Sequence, residues 1–145
     1  MSEKKYLAKI IAKDPNGIQV ISACCSEAKV KIDEIKFLKK NKIFLLLIER
    51  LNRENNNNEK IKSICKFEFI DQVKSKNIDQ NNKDSILELI AINLFKVEEK
   101  FEISLLFKNK AFITLFTEVL EVTLQDQESI WWKLLIIKIK MVLNY

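Results

Sequence analysis

The chain has 145 residues, 48% apolar and 31% charged, with a formal net charge of +5. That balance describes a folded domain with its own core and excludes a disordered chain. There is no His, one Gly and one Pro, which excludes His-based acid–base chemistry, His-containing metal sites and the multi-glycine phosphate loops.

In chain order, residues 6–12, YLAKIIA, read as a first strand. Asp14 and Pro15 then suit the N-cap and first position of a helix. Ile18, Ile21, Cys25 and Ala28 follow at helical spacing, which predicts a helix over 15–27 with Gly17 as a weak point in its first turn. Alternation takes over next. Val30 and Ile32, then Ile35 and Phe37, form two apolar phases that slip at Asp33-Glu34, as a β-bulge would make them. Lys39-Lys40-Asn41-Lys42 reads as a turn. IFLLLIERL (43–51) is apolar on both faces, the mark of a central, doubly covered strand.

NRENNNNEK (52–60) reads as an exposed loop. In 60–69, Ile61, Cys65, Phe67 and Phe69 share one face and lysines take the other, a phase that continues through Val73 and Ser75. NIDQNNKD (77–84) reads as a second loop. ILELIAINLFKV (86–97) fits two patterns. Ser85 with Glu88 suits a capping box, whereas the Ile-rich run suits a strand, and the reading taken is a short helical turn leading into a strand. Phe101, Ile103, Leu105 and Phe107 alternate cleanly. Lys108-Asn109-Lys110 turns the chain, and Phe112, Phe116, Leu120, Val122 and Leu124 alternate back. With glycine nearly absent, Asn41, Asn77 and Asn109 are the expected turn residues, because Asn tolerates positive φ.

These elements predict an α+β fold: one N-terminal helix and a mostly antiparallel, curved or barrel-like sheet of about seven to eight strands, which shields its edges by wrapping. A barrel of the pleckstrin-homology type is one form such a sheet takes. The whole chain, 1–145, reads as a single domain.

Three cysteines, Cys24, Cys25 and Cys65, are odd in number and lack CxxC spacing. They predict buried free thiols, no zinc site and a reducing, cytoplasmic location. The N-terminus carries no apolar run of signal-peptide length. No residue pattern calls for a cofactor or metal.

The run IQVISACCSEAKVKIDEIKFLKKNKIFLLLIERLNRE (18–54) resembles the opening of a bacterial family, domain of unknown function 2948. KSICKFEFIDQVKSKNID (62–79), KDSILELIAINLF (83–95) and EVLEVTLQD (118–126) resemble later stretches of the same family, so the likeness spans 6–127. The resemblance implies a small single-domain cytoplasmic protein and no assigned activity, ligand or catalytic residue. It also implies a glycine position at Asn77, hence a positive-φ turn. The tail 128–145 departs from the family in being strongly apolar.

Three constellations stand out as candidate sites. Trp131 and Trp132 open the apolar tail, too short and too Lys-interrupted to span a bilayer, and suit a partner or membrane-surface contact. Lys60, Lys62, Lys66, Lys74 and Lys76 would line a basic strand face, with Lys39, Lys40 and Lys42 near it, able to meet phosphate backbones without sequence preference. Asp79, Lys83 and Asp84 form a polar loop. Glu49 and Glu118 are weighed as inward carboxylates, and Cys65 as a core thiol. Of 25 basic residues only Arg50 and Arg53 are arginine, and acids are interspersed among the lysines, so the charge excess speaks first to solubility. The leading expectation is a non-enzymatic binding or interaction module. A sequence-independent nucleic-acid binder is the alternative, and an enzyme using carboxylate and Lys groups is third.

Overall fold

A computed structural model describes residues 7–52 and 59–127. Strand β1 (Lys9–Ala12) leads into helix α1 (Pro15–Cys25), and nine further strands follow. The Asp14 side chain accepts the Gly17 N–H at 2.7 Å and Pro15 occupies the first turn, so the cap forms as the residues predict. Gly17 proves to be a point of close approach: a Cβ there would lie 2.7 Å from the Ala12 Cβ. Ile18, Ile21 and Cys25 face the core.

The strands are β2 (Lys29–Lys31), β3 (Ile35–Leu38), β4 (Ile43–Asn52), β5 (Glu59–Phe67), β6 (Ile70–Lys76), β7 (Ile86–Val97), β8 (Lys100–Phe107), β9 (Ala111–Thr117) and β10 (Val122–Gln127). They form one antiparallel sheet in the order β1-β10-β5-β4-β2-β7-β8-β9-β6, with β3 also on β4. The α+β class and the curved antiparallel sheet are as expected. Among the described residues the sheet has ten strands instead of seven or eight, and it does not close into a barrel.

β4 is the spine. Phe44, Leu46 and Ile48 enter the main core, while Leu45 and Leu47 join Leu38, Ile43 and Ile64 in a second cluster on the other face. Phe44 meets Phe67 of β5 edge to face, with ring centroids 5.9 Å apart.

Several local expectations are revised. The slip at Asp33-Glu34 is a 3-10 turn, Ile32–Glu34. Between the partner pairs Lys29–Glu49 and Ile35–Leu46 the chain advances six positions against three on β4. Three extra residues reverse the inward face just as a one-residue bulge would, because any odd insertion does. Residues 86–97 are strand throughout: Lys31 partners Ile86, and the capping box does not form. The irregularity in β7 lies between Leu89 and Ala91, where it passes from β2 to β8. On β9 the inward residues are Ala111, Ile113, Leu115 and Thr117, so Phe112 and Phe116 lie on the other face. AFITLFT is apolar in both phases, so alternation alone did not discriminate between them.

Positive φ appears at Asn77 and Asn109, as expected, but Lys42, not Asn41, takes it in the turn after β3. Phe69 also has φ 59° and is 48% exposed, so it does not continue the apolar face of β5. The chain turns a corner there. β5 pairs with β10, whereas β6 pairs with β9.

Candidate functional site

The corner at Phe69 carries β6 to the end of the sheet order, opposite the free edge of β3. The start of β6 is held beside the turn after β3, and the 3-10 turn before β3 is held to the segment that leads into β7. At one end the Ile70 N–H donates to the Lys42 carbonyl at 2.8 Å, and Lys42 Nζ meets Asp71 at 3.0 Å. At the other end the Asp33 N–H donates to the Lys83 carbonyl at 3.3 Å and the Ile32 N–H to Ser85 at 3.0 Å. β3 and β6 do not pair with one another. The space left is a cleft of about 540 Å³, within the usual range for small-molecule sites.

Its apolar lining is Ile32, Ile35, Phe37, Phe44, Val73, Ile78 and Ile113, and all but Ile32 are part of the main core or packed on it. Its polar lining is Asp33, Lys36, Ser75, Gln80 and Lys83. Gln80 Nε2 donates to Ser75 Oγ at 3.2 Å, which holds that part of the rim. Asp33 Oδ1 is buried and has no hydrogen-bond partner. A buried carboxylate oxygen without a donor is costly, and this one is sealed from solvent beneath the cleft surface.

The polar loop is therefore partly at this site. Lys83 lines the cleft. Asp79 makes a turn instead, accepting the Asn81 N–H at 3.0 Å, and Asp84 is exposed. The loop starts at Asn77, whose amide donates to the Lys110 carbonyl at 2.8 Å. Asp33 and Lys36 were not singled out from the sequence. The signal available was the phase slip at Asp33-Glu34, since a turn that reverses a strand's faces also turns its carboxylate inward.

The five lysines do not share one strand. Lys60, Lys62 and Lys66 lie on β5, between β4 and β10, whereas Lys74 and Lys76 lie on β6 at the end of the sheet order. Lys60 lies 3.9 Å from Glu49, Lys66 lies 3.4 Å from Glu68, and Lys74 sits over the Phe116 ring. Glu49 thus meets a lysine at the strand surface, and Glu118 is exposed beside Lys100. Cys65 is buried on the core face, as expected, and hydrogen bonding with Cys25 together with burial pushes its thiol well above the ordinary value. Trp131 and Trp132 lie outside the described residues, as does the rest of 128–145.

A polar cluster of a different kind was not foreseen. Arg50, on the inward phase of β4, meets Asp126, on the inward phase of β10. Ser63 Oγ donates to Asp126 Oδ1 at 2.6 Å and the Ala8 N–H donates to Oδ2 at 2.9 Å, which satisfies the carboxylate. This cluster locks strands together and does not line the cleft.

Among the described residues no group of three or more His, Cys, Asp and Glu is placed to hold a metal ion, and no helix is long and apolar enough to cross a membrane. No curated protein and no solved structure matches the chain. The sequence model of the family described as "Protein of unknown function (DUF2948)" matches residues 8–134. Since that match covers most of the chain, including β3, β6 and the loop that together frame the cleft, the protein belongs to the DUF2948 family.

Proposed function

We propose that the protein is a binding module and that the β3–β6 cleft is its ligand site. One observation carries this reading. The edge of β3 is left unpaired beside β6, and the gap between them is a cleft over an apolar floor with polar side chains at its rim. A sheet that pairs its other strands and leaves this gap has a preformed, concave, mostly apolar site with a few converging polar groups. The nucleic-acid reading ranks second, because the basic residues are divided between β5 and β6 and both Lys60 and Lys66 stand beside carboxylates.

The test is a fragment screen followed by amide chemical shifts of the full chain. Ligands that perturb residues 32–37, 73–75 and 78–83 together support the site. A screen whose hits leave these amides unmoved removes it. Val73→Trp, which fills the cleft from β6, should abolish the hits while the remaining amide spectrum stays dispersed.

A further inference from the structure

The cleft takes the inner phase of β6 and β9, through Val73 and Ile113. The outer phase of the same strands carries a second surface. β7, β8, β9 and β6 lie side by side, and their register sets the outward residues in rows. In one row Glu102 lies between Phe95 and Phe116. The next row is polar: Asn93, Ser104, Thr114 and Lys74. In the third, Phe112 lies between Leu106 and Lys76. Phe95 is 53% exposed, Phe112 and Phe116 are half-buried, and Lys74 and Lys76 are exposed.

The arrangement limits what fits. Phe95 and Phe116 stand two strands apart, about 10 Å, and Phe112 lies four residues from Phe116, about 13 Å. The polar row between them keeps the rings from merging into the continuous apolar patch that a protein partner covers. The Phe116 ring turns a face outward, since Lys74 Nζ sits over it, 5.3 Å from the centroid. A stacking base uses the same face. The cations lie to one side. Lys74 and Lys76 are on β6, and Lys110 stands in the turn that Asn77 holds against the end of β6. None of the three is ion-paired among the described residues. Glu102 keeps phosphate off the centre of the face and so toward β6.

We propose that this face binds single-stranded nucleic acid, with phosphates along Lys74, Lys76 and Lys110 and bases laid toward β7 on Phe116, Phe112 and Phe95. Stacking on separate rings needs unpaired bases, so a duplex does not fit. The surface draws on none of the β5 lysines. It and the cleft lie on opposite faces of β6 and β9, so either stands if the other is found empty.

The experiment titrates the full chain with a short oligothymidylate, reading amide shifts and fluorescence anisotropy. A duplex of the same length, inorganic polyphosphate and phosphatidylserine vesicles are the comparison arms. Oligothymidylate should shift amides at 74–76, 93–95, 102–106 and 112–116 and leave 32–37 in place. Duplex and polyphosphate should bind about tenfold more weakly or worse, the worth of a lost stack. Phe95→Ala, at an exposed position, should weaken oligothymidylate about tenfold without changing its salt dependence. Lys76→Gln should instead lower the slope of log affinity against log salt by about 0.7, one phosphate contact on a single strand.

Polyphosphate or duplex binding as tightly as oligothymidylate would mean that charge acts alone, and the stacking surface is wrong. Full affinity in Phe95→Ala, shifts confined to 60–66, or no binding at low salt each overturn the proposal. Should vesicles or protein concentration move these amides while oligothymidylate does not, the face belongs to a membrane or a second copy, and the nucleic-acid assignment falls.

Discussion

Arg50 and Asp126 make a bidentate pair in the interior: Nε donates to Oδ1 at 3.0 Å and Nη2 to Oδ2 at 2.8 Å, with side chains 1% and 0% exposed. They are 76 residues apart and sit on β4 and β10, on either side of β5. Such a pair gains little over an apolar replacement, but breaking it strands a buried charge. Asp126→Ala should therefore cost about 3–5 kcal/mol in urea unfolding. Arg50→Met combined with Asp126→Leu should recover most of that loss. A loss below about 1 kcal/mol for Asp126→Ala, the worth of an exposed pair, would show that water reaches the site.

Gly17→Ala should destabilise, against the usual preference of helices for alanine. The new Cβ would lie 2.7 Å from the Ala12 Cβ and 2.9 Å from its Cα, so α1 must move off β1. Overpacking of this kind costs about 1–3 kcal/mol. A thermal midpoint equal to or above that of the parent would mean that the helix start shifts freely.

Glu98 opens the two-residue turn between β7 and β8 with φ 59°. Its exposed side chain makes no core contact, so glycine can relieve the left-handed penalty with nothing lost in packing. Glu98→Gly should stabilise by about 1 kcal/mol. The same change at Asn109 should do much less, because Asn already tolerates φ 65°. Comparable gains at both positions would contradict this account.

At the corner where Glu68 N–H donates to the Glu121 carbonyl, the two side-chain carboxyls also share a hydrogen bond. That bond, with burial, raises Glu68 above its ordinary 4.5, and it lowers Glu121. Glu68 favours the fold below 4.5 and loses that contribution as pH rises through its folded value. Glu121 contributes above 4.5 and loses its part as pH falls. Glu68→Gln removes the first effect and keeps a donor for Glu121. The variant should be more stable than the parent at pH 7, with the difference shrinking as pH falls through 4.5. A constant difference from pH 3 to 7 would rule out proton sharing.

Cys65 and Cys25 are sealed, whereas Cys24 is half-buried. A thiol reagent should modify Cys24 in the native protein and reach the other two only on unfolding. Because hydrogen bonding with Cys25 and burial raise the Cys65 thiol above 9.0, its contribution to stability is present below pH 9.0 and is lost as pH rises beyond its folded value. With no His in the chain, no side chain of ordinary pKa titrates between pH 6 and 8. Unfolding midpoints should be flat across that interval and fall on the alkaline side. Equal native reactivity of all three thiols would place Cys25 and Cys65 at the surface.

Much of the fold was legible in local chemistry. Asp14 and Pro15 mark the helix start, the doubly apolar run marks β4 as central, and Asn77 and Asn109 mark positive-φ turns in a chain with almost no glycine. Each is a property of a residue and its near neighbours. The misreadings share a cause. A period of two says which residues share a face but not which strand lies beside them. Lys60 to Lys76 therefore looked like one ribbon until φ at Phe69 divided it.

The sequence by itself determined the class: a helix-capped, antiparallel, glycine-poor domain of the DUF2948 family, without histidine chemistry. The tertiary structure alone decided where that sheet stops. The gap between β3 and β6 joins residues some forty positions apart, and the pairing of Arg50 with Asp126 joins residues farther apart still. The first follows the odd insertion at Ile32–Glu34 and the second the β4–β5–β10 register, and register is set when distant strands bury a common core. No local pattern encodes which edge is left open, and that open edge is where the candidate site lies.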